Sequence, residues 1–400
     1  MPPDLHRRAL LRALLGVGAL WRTGYTRDNL SVPTNNQLSL LLAGDVMTGR
    51  GIDQILRHSV DPVLYEPYVQ DANRYVELAE QTSGRIPRPV EPDYIWGDAV
   101  DVLDSLKPDV RIINLETAVT TADKPWPDKG IHYRMHPRNV DVLTAVGIDC
   151  CVLANNHTLD WGRPGLAETL ARLREAGVVP VGAGADAPEA SAPAVLNPPG
   201  SARLLVYALA EPGAGIPSDW QAGSGVSGVN FLPEVTEASA SRLAGIVEST
   251  RRPGDRVVVS VHWGGNWGYS ILSEQRSFAR RLIDDAGVDI VYGHSSHHPK
   301  GLELYRDKLI LYGCGDLIND YEGIGGHESY RPELTAMYLP ALAPDTGRLK
   351  SLTVVPFRLQ KLRLNRTTSQ EARWLAERLN RESQGGEFEI DERGFFRLKS

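Results

Sequence analysis

The 400-residue chain has three cysteines, four methionines and an aromatic content of 7%. Two of the cysteines, Cys150 and Cys151, are adjacent and the third is Cys314, so they make a poor disulfide framework, and no C-x-x-C pair marks a zinc ribbon. That scarcity fits a reduced, cytosolic protein. Basic blocks are missing as well. The chain sets 43 Lys+Arg against 50 Asp+Glu, a net charge of −7, and lacks the electrostatic footprint of a nucleic-acid binder. No apolar run approaches the roughly 20 residues of a membrane span, which predicts no stable membrane insertion. His6-Arg7-Arg8 before Ala9-Leu10-Leu11 resembles the start of a signal peptide. Arg12 interrupts it, however, and no small-x-small cleavage site follows. The reading is an amphipathic N-terminal helix on a cytoplasmic protein, with a weak export signal as the alternative.

What is present is ordinary for a folded chain: 42% hydrophobic and 23% charged residues, with 38 Gly and 27 Pro that imply much loop. Residues 1–36 read as a tail, 37–344 as the main domain and 345–400 as a C-terminal extension. Over 38–340 short apolar runs alternate with helical patterns, as in strand–helix units. The patterns predict helices over 97–106, 138–146, 164–176, 234–250 and 274–286. Pro164 and Gly177 punctuate the third of these. Segments 83–93, 183–200 and 211–230 read as loops. In the extension, a strand-like Leu352–Leu359 and a helical Gln370–Leu379 precede a hairpin over Phe388–Leu398.

The informative feature is what ends the apolar runs. Leu38–Ala43 ends in Gly44-Asp45, Val110–Ile113 in Asn114-Leu115-Glu116, and Cys150–Ala154 in Asn155-Asn156-His157. Val257–Val261 ends in His262-Trp263-Gly264, and Val288–Tyr292 in Gly293-His294-Ser295-Ser296-His297-His298. Runs of this kind suit strands buried on both faces, and ligand groups collect at the carboxyl ends of such strands. Alone, each Asp is a turn former and each His a hydrogen-bonded structural residue. Together, carboxylates, an amide and imidazoles at five strand ends make a donor set for a divalent ion.

These strings, with Gly44-Asp45-Val46-Met47, Ala154 to Gly162 and Gly293-His294-x-x-His297 among them, resemble the CapA family, named for poly-γ-glutamate capsule synthesis. The resemblance covers about residues 38–340. It implies an α/β fold of the calcineurin-like metallophosphoesterase type, two facing sheets flanked by helices. It also implies one or two divalent ions, with Mn, Zn, Fe and Ca as candidates. By the same resemblance Asp45 would bind one ion and Glu116 would bridge two. Asn156, His262, His294 and His297 would complete the shell, with His157 as the catalytic acid or charge stabiliser. Phosphoesterases carry a His two residues after the first Asp. Here Met47 stands there, which weakens one ion position.

Asp160, three residues beyond His157, can orient its imidazole for proton transfer or can cap the helix near Pro164; the dyad is the preferred reading. Arg134 matches a family Arg and could bind a substrate carboxylate, or it forms a surface ion pair. His298 faces the cleft as a further substrate contact or caps the turn before Pro299. His327, Tyr330 and Arg331 follow a polar loop suited to a substrate rim. The expected substrate is a peptide or polyamide. The specific expectation is Cα epimerisation of a ribosomal peptide of the lasso type, a use some proteins resembling the family make of the fold. Poly-γ-glutamate or capsule biosynthesis is the alternative, and phosphoester hydrolysis a second one.

Overall fold

The computed structural model describes residues 37–399. The tail expected over 1–36, with its amphipathic helix, and Ser400 lie outside the described residues. The strands that build the scaffold are β1 (Leu38–Val46), β2 (Val110–Leu115), β3 (Cys150–Val152), β4 (Val179–Val181), β5 (Ala194–Leu196), β6 (Leu204–Ala210) and β7 (Arg256–His262). They continue with β8 (Ile290–His294), β9 (Leu302–Tyr305), β10 (Lys308–Leu311), β11 (Asp316–Ile318), β12 (Leu334–Leu342) and β13 (Leu349–Gln360).

They form two main sheets. The first runs β13–β12–β1–β2–β3–β4, extended beyond β13 by the hairpin Glu387–Ile390 and Phe396–Lys399. The second runs β9–β10–β8–β7–β6–β5. Parallel pairing dominates the centre of both, and antiparallel strands close the edges. The segment from 345 onward, expected as an extension, enters this first sheet, where β13 pairs along the whole of β12.

Alternation along the strands explains how the sheets pack. On β6, Val206, Ala208 and Ala210 join a core shared with the first sheet, whereas Leu205, Tyr207 and Leu209 join a second core. On β7, Val258 faces the first core and Val257, Val259 and Val261 the second. That second core is completed by the helices Glu237–Thr250 and Ser273–Ala286. The result is two facing sheets with helices outside, the arrangement the resemblance implied. The same alternation decides the site. Ser260 and His262 follow Val258 on the inner face of β7, and His294 follows Ile290 and Tyr292 on that of β8. Parallel register sets His262 directly beside His294.

Four of the expected helices form close to the anticipated bounds, at Ala99–Leu106, Gly162–Glu175, Glu237–Thr250 and Ser273–Ala286. The helix predicted over 138–146 is broken into a turn at Pro137–Asn139 and a short helix Asp141–Thr144, closed by Gly147 at φ +60°. The helix Asn73–Ser83 was not apparent in the pattern; Asp71 Oδ1 accepts the Asn73 amide at its start, 2.8 Å away. The stretch 183–200, read as loop, holds the short helix Ala187–Ser191, capped by Asp186, as well as β5. Among the described residues no helix is long and apolar enough to cross a membrane.

Candidate metal centre and its proton-transfer pair

The carboxyl ends of β1, β2, β3, β7 and β8 converge, and β11 inserts beside β1 with Asp45 opposite Asp316. This insertion needs two glycines. A Cβ on Gly44 would lie 1.6 Å from the Gly315 carbonyl oxygen, so the chains approach only because Gly44 has none. Gly315 turns at φ +77°, a region L side chains rarely adopt.

Two donor groups result, and they share Asp45. One is Asp45, His262 and His294; the other is Asp45, His297 and Asp316. In the first, the Nδ1 atoms of His262 and His294 stand 2.7 Å apart, and His294 Nδ1 is 3.8 Å from Asp45 Oδ1. Their far nitrogens are tied to Asn156 Oδ1 at 3.1 Å and to the Ser260 hydroxyl at 2.7 Å. Burial, with His294 alongside, pushes His262 well below its usual range, and burial takes His294 down to about 3. Both rings are therefore neutral, the state in which imidazole ligates a metal. In the second group His297 Nδ1 is 2.9 Å from Asp316 Oδ1, and Asn319 donates to the other Asp316 oxygen at 2.8 Å. Burial opposes charge on His297, but the Asp316 carboxylate raises its pKa.

The carboxylates crowd one another. Burial and then Asp316 push Asp45 up to about 7, even though Asn114 Nδ2 donates to Oδ1 at 2.7 Å and the Ser295 amide to Oδ2 at 3.2 Å. Burial, Asp45 and Asp316 push Glu116 well above the carboxylate range. Glu116 lies outside both three-residue groups, and its Oε2 is buried with no donor facing it. An orphaned buried carboxylate oxygen beside two further acidic groups is costly unless a cation joins them. The residues present thus fit a divalent ion. Asp45 stands where the two groups meet, a place the resemblance gave to Glu116. Asp316 adds a carboxylate that the resemblance did not give.

The Asn156–His157 turn is fixed by its neighbour. Asn155 Nδ2 donates to Asn114 Oδ1 and to the Leu115 carbonyl, at 3.0 and 2.9 Å, while its Oδ1 accepts the His157 amide at 3.0 Å. Asn155 is thereby spent on the loop, and Asn156 is left half-buried with its Oδ1 on His262 Nε2. His157, 7% exposed, has Nδ1 2.6 Å from Asp160 Oδ2 and Nε2 3.7 Å from Glu116 Oε1. Asp160 thus contacts the imidazole, as the dyad reading requires. Burial outweighs the pull of Asp160 and takes His157 down to about 4. Burial works against charge on Asp160, but His157 and the Lys129 ammonium keep it below its usual range. With Nδ1–H directed at Asp160, the Nε2 lone pair points toward Glu116, as a general base facing the site requires.

Two expected substrate contacts are otherwise engaged. Arg134 donates to the carbonyls of Ala122 and Asp61, at 2.6 and 3.2 Å, and stacks 3.7 Å over the Trp161 ring. His298 is buried, with Nδ1 on the Pro299 carbonyl and Nε2 accepting the Gly268 amide, each at 3.2 Å. Of the expected rim, His327 stacks on Trp267 at 3.8 Å, and the Trp267 ring stands 5.5 Å from that of His297.

Two site residues were absent from the sequence reading. Asp316 carried a signal, since Gly315-Asp316 after an apolar run repeats the pattern of Gly44-Asp45. Lys129 carried none: it sits in an irregular loop and reaches Asp160, His157 and the Ile131 carbonyl.

The chain matches the family model described as Bacterial capsule synthesis protein PGA_cap over residues 39–321. A probable polyglutamine synthesis accessory protein of Mycobacterium tuberculosis is 47% identical over 86% of this chain and 90% of its own length. The capsule biosynthesis protein CapA of Bacillus anthracis is 25% identical over 78% of this chain and 68% of its own. Among solved structures, a phosphatase of Mycoplasma pneumoniae aligns with a TM-score of 0.43 at 11% identity, covering 81% of this chain and 94% of that one.

Proposed function

This chain belongs to the bacterial capsule synthesis protein family, and we propose that it is a divalent-metal-dependent enzyme of poly-amino-acid synthesis, acting on an amide or acyl bond of a polyamide chain. The observation that carries the reading is the pair of donor groups sharing Asp45, with the Nε2 of His157 turned toward the neighbouring Glu116. A divalent ion in such a site polarises a carbonyl oxygen and makes water a stronger nucleophile near neutral pH. The protein's own residues do the rest. His157 Nε2 takes a proton and Asp160 holds the resulting imidazolium.

The relatives' names turn the reading from Cα epimerisation toward polyamide synthesis. Epimerisation needs a second proton carrier on the opposite face of the α-carbon. One candidate for it, His298, has both nitrogens engaged. We place the protein in the cytoplasm on its three unpaired, buried cysteines; an N-terminally processed form in the envelope fraction would overturn that placement.

The test supplies Mn²⁺ or Zn²⁺ to chelator-treated protein and follows the length of poly-γ-glutamate and poly-glutamine, with an aryl phosphate and a peptide in D₂O alongside. Metal-dependent change in polyamide length supports the proposal. Aryl phosphate turnover without any change in the polyamides would favour the phosphoesterase reading, and deuterium entering a peptide would favour epimerisation.

A further inference from the structure

We propose that Lys129 is a positioning residue for His157, its ammonium holding the second oxygen of Asp160 so that the first stays on the imidazole. This rests on His157 being the proton-transfer group. Asp160 is fully buried and has two oxygens to satisfy. Oδ2 receives both the His157 Nδ1–H and the Tyr133 amide, each at 2.6 Å, and Oδ1 receives the Lys129 ammonium. A carboxylate held at one oxygen alone turns about its broad, nearly two-fold side-chain torsion. Held at both, it presents one fixed oxygen to the imidazole.

Lys129 is itself fixed. Its ammonium donates to the Ile131 carbonyl at 3.0 Å and lies 5.5 Å from the Trp220 ring centroid, with the side chain 15% exposed. Nζ is also 3.1 Å from His157 Nδ1. An ammonium and an imidazole N–H that close are both donors, and they are compatible because Asp160 accepts from both. Charge-assisted bonds to a carboxylate are the stronger ones. So the ammonium takes Oδ1, the ring proton stays on Nδ1, and Nε2 keeps its lone pair for the cleft. Without Lys129, Oδ1 would be a buried carboxylate oxygen with no donor, and the oxygen presented to His157 would no longer be specified.

The experiment reads the ring proton directly and needs no substrate, so it fails or succeeds independently of the polyamide reading. The full-length chain, loaded with Zn²⁺ and labelled with ¹⁵N-histidine, should show one strongly deshielded, slowly exchanging Nδ1 proton, assigned by its loss in Asp160→Asn. In Lys129→Met that resonance should be lost or move to an ordinary imidazole position, with zinc content unchanged. Lys129→Cys should lose it too and regain it after aminoethylation, which rebuilds a lysine-length amine. Cys150, Cys151 and Cys314 are fully buried, so the reagent is directed to the introduced thiol. A Lys129→Met spectrum identical to wild type would overturn the proposal. Should that variant not fold, wild type still decides: cross-peaks between the Lys129 Nζ protons and the His157 ring are expected, and their absence overturns it. A metal-dependent turnover, once measured, should fall by about 10–100-fold in kcat, the usual scale for a group that orients another, with KM unchanged.

Discussion

Asp45 is the one side chain common to both donor groups, and Asp45→Asn separates its two proposed roles. In the metal-free protein the carboxylate is a burden. Its pKa is pushed up to about 7 in the folded chain, against about 4 when unfolded. The folded state therefore holds a proton that the unfolded state has released across that window. Stability is full below about pH 4 and is lost as pH rises through 7. A shift of that size corresponds to roughly 4 kcal/mol. Asparagine removes the penalty and gives up one of two hydrogen bonds, from Asn114 and Ser295, which costs about 1 kcal/mol. In chelator at pH 8, Asp45→Asn should thus be more stable than wild type by roughly 3 kcal/mol, and at pH 4 the two should be close. Saturating metal should invert the order. Two ions, each present at about 100 times its Kd, add about 2.7 kcal/mol apiece to the protein that binds them, more than the roughly 3 kcal/mol deficit, and Asp45→Asn should bind none. Urea unfolding midpoints at the two pH values, with and without Mn²⁺, and elemental analysis measure all of this. If stripped wild type and Asp45→Asn share the same pH dependence, or the variant keeps its ions, the electrostatic reasoning is wrong.

Single removals should divide the site. Asp316→Asn should cost the ion held with His297 and leave the other, and His294→Ala the reverse, so elemental analysis should return one ion where wild type returns two. His157→Gln should keep full metal content and lose two to four powers of ten in turnover, the size of a general acid–base contribution; loss of metal would make His157 a ligand instead. Arg134→Ala should lower unfolding stability by about 2–3 kcal/mol, through two lost hydrogen bonds and the Trp161 stack. It should leave KM unchanged, and a rise in KM without loss of stability would restore Arg134 to the substrate.

Most of the site was legible because strands buried on both faces leave a clear mark, an apolar run that stops at a polar group. Asp45, Glu116, Asn156, His157, His262, His294 and His297 all lie at such stops, and the structure brings them together. That Asp45 belongs to both donor groups was less legible: it depends on β11 slipping in beside β1, and a three-residue strand has no periodicity to reveal it. Two-residue alternation also hid the fate of Arg134. Tyr133 turns its ring edge-on to His157 at 4.5 Å, so the next residue faces away, toward Trp161. Lys129 was invisible for a different reason. Nothing in an irregular loop foretells which buried carboxylate it reaches.

The central claim is a pair of ion positions that share Asp45. Crystals of the Mn²⁺-loaded chain, measured at the manganese absorption edge, test it most directly. Two anomalous peaks are expected, both touching Asp45, one beside His262 and His294 and the other beside His297 and Asp316. A single peak, or peaks that leave Asp45 untouched, would contradict it.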